Sequence, residues 1–77
     1  DLDLRGRNLE EALLETDRFI DEALLNNLGQ VTIIHGKGTG ILRQGIHDYL
    51  RQHRYVKAFR LGQHNEGGSG ATVVQLK

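Results

Sequence analysis

The run Val31-Thr32-Ile33-Ile34 ends in His35-Gly36-Lys37-Gly38-Thr39-Gly40 and passes directly into a helical pattern that begins at Ile41. A strand, a glycine loop and a helix start, in that order, commit the chain to an α/β layout. Three glycines within five residues remove the Cβ atoms that would hold a partner off the backbone, and they permit the φ > 0 conformations that aim successive N–H groups at one point. The helix N-terminus beyond adds unpaired donors and the positive end of a dipole, so the preferred guest is an anion, phosphate above all. Lys37 sets a full positive charge in the loop, and His35, a residue type that titrates near neutrality, stands at its mouth.

The rest of the chain supplies the elements around this loop. Asp1 to Arg5 alternates strictly, with Leu2 and Leu4 against Asp1, Asp3 and Arg5, which is the mark of a half-buried strand that carries Asp3 and Arg5 side by side on its polar face. Asn8 with Glu11 makes a capping box, and Leu9, Leu13, Thr16, Ile20, Ala23 or Leu24, and Leu28 follow at helical spacing, with Gly29 as the residue beyond the helix end. Gln30 to His35 is apolar on both faces, as a central strand should be. Thr39 is placed to cap a second helix whose Leu42, Ile46, Tyr49, Leu50 and His53 share a stripe. Gly45 inside it costs up to ~1 kcal/mol relative to Ala unless a neighbour packs close there. Tyr55 to Leu61 alternates again, with Val56 and Ala58 opposite Lys57, Phe59 and Leu61. Gly62 to Gly70 is a loop with its own cluster, Gly67-Gly68-Ser69-Gly70, and Ala71 to Lys77 closes the chain as a strand.

The order is β-α-β-α-β-β. It predicts a mixed four-stranded sheet in which the first three strands are parallel neighbours joined by right-handed crossovers and the last returns antiparallel. Ligands in such sheets collect at the carboxyl ends of the parallel strands, where His35 ends the second strand and Asp3 and Arg5 end the first.

Composition narrows the function. A chain of 77 residues is one domain, and at this size it buries only about 60–65% of its unfolded surface. Without cysteine there is no disulfide framework, thiolate nucleophile or Cys-type zinc site. No apolar run approaches the ~20 residues that span a bilayer and no basic-then-apolar leader opens the chain, so a soluble cytoplasmic protein with no membrane partner is expected. The lack of an initiator Met leads us to expect that residues 1–77 are one domain of a longer protein. Net charge is zero, yet six acids face one base between Asn8 and Leu28, while six bases face one acid between His35 and His64. The zero hides a dipolar molecule whose basic half holds the glycine loop.

Leu2-Asp3-Leu4-Arg5-Gly6, His35-Gly36-Lys37-Gly38-Thr39-Gly40 and Gly67-Gly68-Ser69-Gly70-Ala71-Thr72 together resemble the signature of the small MutS-related (Smr) domain, and the likeness covers essentially the whole chain. It is strongest to the Smr domain that ends bacterial MutS-type ATPases concerned with suppressing recombination and with collided ribosomes. The resemblance implies a two-layer sandwich with both helices on one face of the sheet. It also implies binding of DNA or RNA, the ribosome included, an attached ATPase domain in the parent chain, and nicking endonuclease activity. The family's acidic position falls on Asp3 and its histidine-glycine pair on His35 and Gly36. Many stand-alone Smr domains carry His where this chain has Arg5, and an arginine does not deprotonate in proteins, so Arg5 offers charge and a bidentate phosphate grip instead.

Phosphodiester hydrolysis needs an activated water, cations on the developing charge and in-line positioning. The expected catalytic set is Asp3, Arg5 and His35: Asp3 or His35 takes the water's proton while the other orients it. Arg5 and Lys37 hold phosphoryl oxygens. The expected nucleic-acid contacts are Gly36, Lys37, Gly38, Thr39, Gly40, Arg43, Arg60 and the cluster Gly67, Gly68, Ser69 and Gly70. Carboxylates outside the acidic helix are only Asp1, Asp3, Asp48 and Glu66, few for a two-metal site, so no cofactor is expected, with a single Mg²⁺ or Mn²⁺ at Asp3 as the metal alternative. The Walker spacing is absent, so no nucleotide or other small-molecule substrate is expected. Plainer roles stand beside these. Asp3 and Arg5 can form a surface ion pair contributing ~0–1 kcal/mol, His35 can bond to backbone, and His47, His53 and His64 fit surface or helix-edge positions. The alternative to a nuclease is a non-catalytic adaptor that docks an attached ATPase on nucleic acid or the ribosome.

Overall fold

The computed structural model describes all 77 residues. The elements are β1 (Leu2–Asp3), α1 (Leu9–Leu25), β2 (Gln30–Ile34), α2 (Ile41–Gln52), β3 (Val56–Leu61) and β4 (Ala71–Leu76), with 3₁₀ turns at His64–Glu66 and Gly68–Gly70. The sheet order is β1-β2-β4-β3; β1 is parallel to β2, and β4 is antiparallel to both β2 and β3. The first three strands therefore run in one direction and the last opposes them, as expected. They are not all neighbours, however: β4 inserts between β2 and β3. The physical reason lies in the residues. Ala71, Thr72, Val73 and Val74 are buried on both faces of β4, which suits a central strand, whereas β3 carries Lys57 and Arg60, charges that protect an edge.

The core lies on one side of the sheet. Val31 and Ile33 of β2, Val74 and Leu76 of β4 and Leu4 meet Ala12, Ile20 and Ala23 of α1 and Ile46 and Leu50 of α2, which gives a two-layer α/β sandwich. Phe59 and Val56 both pack against this core although strict alternation would put them on opposite faces. A bulge between Val56 and Ala58 removes the conflict, pairing Val56 with Leu76 and Phe59 with Val74.

At its N-terminus α1 has the expected box, with Glu11 N–H donating to Asn8 Oδ1 at 2.8 Å and Asn8 N–H to Glu11 Oε1 at 3.2 Å. Its C-terminus departs from expectation: Asn27 at φ +57°, not Gly29, takes the left-handed position. Leu28 N–H then reaches Ala23 O at 2.9 Å and Asn27 N–H reaches Leu24 O at 3.1 Å, a Schellman closure that ends the helix at Leu25 and leaves Leu28 exposed. Asparagine visits this region more readily than other non-glycine residues, so an Asn can serve where a Gly was expected.

Where the two helices cross, a Cβ on Gly45 would overlap the Leu9 side chain, with Leu9 Cγ at 3.2 Å and both methyls nearer still. Gly45 is thus the close-packing site that its cost to the helix implies. Gly45→Ala should forfeit the ~1 kcal/mol of helix propensity it gains to overpacking of ~1–3 kcal/mol, and lower the urea midpoint. In a Leu9→Ala background the same change should be neutral or stabilising; equal effects in both backgrounds would show that the two side chains do not meet.

Candidate nucleic-acid interface

The loop between β2 and α2 is fixed from beneath. His35 N–H and Gly36 N–H both donate to the Gly70 carbonyl, at 3.0 and 2.9 Å, which continues the β2–β4 pairing and joins the two glycine loops. Gly36, Gly38 and Gly40 all adopt positive φ, at 79°, 25° and 87°. With the backbone turned this way, the N–H groups of Lys37, Gly38, Thr39 and Gly40 have no hydrogen-bond partner within the chain. Gly40 occupies the N-cap of α2 and contributes no side-chain bond. The expected cap from Thr39 is reduced to one long contact, Ile41 N–H to Thr39 Oγ1 at 3.4 Å. Chain reversal through left-handed glycines places Thr39 one residue too early to close the first turn, so the positive end of α2 stays open to an incoming anion.

These amides floor a groove of about 550 Å³ that runs between residues 5–9 on one side and residues 35–43 on the other. Arg5 lies across Gly36, where an added Cβ would be 3.4 Å from Arg5 Cγ, and Arg43 folds back over Gly40, where an added Cβ would be 3.2 Å from Arg43 Nη2. Lys37 is exposed on the loop itself. Neither Lys37 nor Arg43 forms an ion pair, whereas Arg7, also at the groove, is held by Glu15 at 2.7 Å.

The structure does not bring Asp3 and His35 together. Parallel pairing sets Asp3 beside Ile34, on the sheet face away from the helices. His35 follows Ile33 on the helix face, where it bonds to Thr72, whose partner in register is Ile33. Asp3 instead grips Arg5. Arg5 Nη2 donates to Oδ2 at 2.8 Å, Nε to Oδ1 at 3.0 Å, and the Arg5 backbone N–H also reaches Oδ1 at 3.0 Å. These bonds hold the Asp3 carboxyl down at about 2. So firmly ionised a carboxylate is a weak base, and a metal ion at Asp3 would compete with Arg5 for both oxygens.

His35 is only 4% exposed. Its Nδ1 lies 2.9 Å from the Gly36 carbonyl, which only accepts, so Nδ1 carries the hydrogen. Nε2 lies 2.8 Å from Thr72 Oγ1, and the same hydroxyl is 2.8 Å from His47 Nε2. His47, expected as a helix-edge residue, is drawn half inside against the Phe59 ring, 4.8 Å between centroids. Burial lowers its pKa, the charges of His35, Arg51 and Arg43 add to that, and Asp48 opposes it. The only local sign of this role was that His47 adjoins the buried Ile46. Its partner Thr72 is 25 residues away in the chain, and no helical period reports such a pairing.

Arg60 and the second glycine cluster sit apart from the groove. Arg60 shares the face of Val73, opposite the helices, and Glu66 takes it in a fork at 2.8 and 3.1 Å. Gly70 is the link to the first loop, and a Cβ there would be 3.5 Å from Lys37 Cγ. Gly68 N–H is spent on Gln63 O and Gly70 N–H on Gly67 O, which leaves the amides of Gly67 and Ser69 without a backbone partner. No three His, Cys, Asp or Glu side chains are grouped as a metal site, and no helix is long and apolar enough to cross a membrane.

A family model described as the Smr domain matches residues 2–77. Among curated relatives, Endonuclease MutS2 of Brevibacillus brevis is 61% identical over 77 residues and that of Geobacillus kaustophilus 54% identical over 77 residues. Each match takes in 100% of this chain and 10% of the relative, so the chain spans about a tenth of those proteins. The crystal structure of the Smr domain of Thermus thermophilus MutS2 superposes with a TM-score of 0.96 at 46% identity, covering 99% of this chain and 95% of that one. YdaL, a stand-alone small MutS-related protein from Escherichia coli, gives a TM-score of 0.94 at 34% identity, over 99% of this chain and 63% of its own.

Arg60 acts on Glu66 as Arg5 acts on Asp3, and with the Gln63 amide it brings the Glu66 carboxyl down to about 2. A carboxylate with a lowered folded-state pKa stabilises the fold above its unfolded value and loses that contribution as pH falls through the folded one. Stability should therefore decline between the ordinary values, 3.8 and 4.5, and about 2. A carboxyl NMR titration should return Asp3 toward 3.8 in Arg5→Leu and Glu66 toward 4.5 in Arg60→Leu, each leaving the other carboxyl unmoved. Unchanged midpoints would mean that the ion pairs do not persist in solution.

Proposed function

Because the chain belongs to the Smr domain family, we propose that it binds the sugar-phosphate backbone of DNA or RNA in the groove beside the β2–α2 loop and nicks it, as the nuclease domain of a larger MutS-type ATPase. The observation that carries this proposal is the row of free amides from Lys37 to Gly40, bordered by two cations, Lys37 and Arg43, that have no counter-ion of their own. A phosphate seated there meets backbone donors, an open helix end and full charges at once. Aromatic residues are Phe19, Tyr49, Tyr55 and Phe59, and none lines the groove, so contacts fall on the backbone and sequence preference is low. Structured RNA, the ribosome included, and branched DNA intermediates of recombination offer the same chemistry.

For cleavage, Lys37, Arg43 and Arg5 take the charge that develops on the phosphoryl oxygens. Asp3 serves as a positioning residue that holds Arg5. Removal of the water's proton falls to His35, the one imidazole at the groove. Its Nδ1 already bears hydrogen and its Nε2 is engaged by Thr72, so the ring must turn before it accepts, and cutting is slow relative to binding. No metal is assigned, and nicking should survive EDTA. The same engagement of His35 favours the second possibility, an adaptor that docks on nucleic acid without cutting it.

Lys37→Ala should weaken oligonucleotide binding and flatten the slope of log affinity against log salt by about one unit. An unchanged slope would remove Lys37 from contact with phosphate. With supercoiled plasmid and structured RNA, His35→Ala should lose the nicking seen with wild type. Equal background cutting by both, with binding intact, would establish the adaptor.

A further inference from the structure

His35, Thr72 and His47 form one hydrogen-bonded unit that joins one residue from each glycine motif to a helix residue outside both. The hydroxyl stands between two imidazoles at 2.8 Å from each, and it has only one hydrogen to give. With both histidines neutral, the bonding is determined throughout. His35 Nδ1–H donates to Gly36 O, Thr72 O–H donates to His35 Nε2, and His47 Nε2–H donates to Thr72 Oγ1. The carbonyl so held is half of the peptide that contains the Lys37 N–H. In a trans peptide the two groups point opposite ways, so fixing one aims the other.

We propose that His47, acting through Thr72, is a positioning residue for the anion cradle: it gives the Thr72 hydroxyl a second partner in both charge states of His35, donating to Oγ1 when His35 is neutral and accepting from it when His35 is cationic, and so keeps His35, the Gly36 carbonyl and the Lys37 amide aimed in either state. The second state differs from the first by one proton. That proton enters at His47 Nδ1, which has no partner in the chain. His47 Nε2 passes its hydrogen to Thr72 Oγ1, and Thr72 passes its own to His35 Nε2. His35 then donates from both nitrogens, and the hydroxyl, holding the hydrogen it received, donates to the lone pair left on His47 Nε2. Every polar atom shared between the three side chains remains paired, and only His47 Nδ1 lacks a partner in the chain, as it did before. A second proton would make both rings donors to one oxygen and orphan the hydroxyl hydrogen of Thr72, a residue with no exposure, so the unit holds one proton at a time. The titratable and charged groups around His47 are His35, one residue past β2, and Arg43, Arg51 and Asp48 on its own helix; from β3 and β4 it meets Phe59 and Thr72, which carry no charge.

This inference rests on the cradle proposed above, but its main test needs no nucleic acid. In ¹⁵N-labelled wild-type chain, long-range ¹H–¹⁵N spectra near pH 8 should show His35 as the Nδ1–H tautomer and His47 as the Nε2–H tautomer. As the unit takes up its proton, the ring ¹⁵N signals of both histidines should change together while the Lys37–Gly40 amide signals stay sharp. His47→Leu keeps the packing on Phe59 but cannot accept from Thr72. There the same amides should shift and broaden as pH falls, and affinity for a phosphodiester oligonucleotide at the acid end should drop about fivefold, the worth of one neutral hydrogen bond. Thr72→Val should behave likewise. His47→Gln, whose amide can present either a donor or an acceptor, should restore sharp amides without the coupled titration. Lys37–Gly40 signals in His47→Leu that follow wild type across the whole range, with remote amides confirming the fold, would overturn the proposal. Wild-type chain that binds no oligonucleotide would overturn the cradle's function and leave the NMR outcome to decide the positioning role by itself.

Discussion

The Gly70 carbonyl accepts hydrogen bonds from two consecutive amides, His35 and Gly36, and the geometry of the groove depends on that double anchor. It carries the pairing of β2 with β4 one step past the strands, so that the chain leaves the sheet at Lys37 and nowhere else. Everything beyond is then a consequence of left-handed glycines. Gly36, Gly38 and Gly40 turn the backbone so that its donors face outward, and Gly40 opens α2 without a capping side chain. A loop free to wander would lose entropy on closing around a phosphate; one pinned at its entry and continued by a helix at its exit has already given up most of it. Preorganisation of this kind lets a domain with a small core present a fixed row of outward-facing amides.

Charge is arranged by the same economy of means. The molecule carries no net charge, so any pull on a polyanion comes from how its charges are divided and not from their sum. What attraction exists is local, and it depends on which cations are already spoken for. Arg5, Arg7 and Arg60 each have a carboxylate partner, while Lys37 and Arg43 have none. An incoming phosphate need displace nothing to meet the latter two. Arg5 differs from Arg60 because its stem also covers Gly36, so its ion pair with Asp3 sets where the guanidinium stands over the loop instead of cancelling it at a distance.

Much of this was legible in the sequence because it is written in neighbours. The capping box of Asn8 and Glu11, the glycine loop, a glycine at 45 inside a helical pattern and the Asp3–Arg5 adjacency all involve residues whose spacing is set by one element's own geometry, whereas Leu9, which packs on Gly45, comes from the other helix. The insertion of β4 between β2 and β3 was also present, in the contrast between uncharged Ala71–Leu76 and a β3 that carries Lys57 and Arg60, but chain order masked it. The bulge that turns both Val56 and Phe59 inward was not visible, since one extra residue reverses an alternation without leaving a compositional trace. Least visible of all was His47. Its role depends on a hydroxyl from β4, which reaches it only because β4 lies next to β2, so an error in strand order hides the histidine as well.

Binding and cleavage make different demands on this arrangement. To hold a phosphate, the groove needs only what is already formed: amides, a helix end and unpaired cations. To break a phosphodiester, it must also provide a proton acceptor within reach of the attacking water, and the two candidates are both engaged, Asp3 by Arg5 and His35 by Thr72. Of these, Asp3 is tied by charge and lies on the other sheet face, while His35 is tied by a neutral hydrogen bond that a rotation can exchange. The lighter bond is therefore the one that catalysis would have to open. Since Thr72 is shared with His47, opening it leaves the hydroxyl still bonded on its other side, which lowers the cost of freeing His35 below that of exposing a lone buried threonine. A chain that kept Thr72 but lacked a polar group at residue 47 would both aim the loop amides less firmly as pH falls and meet a higher cost in freeing His35.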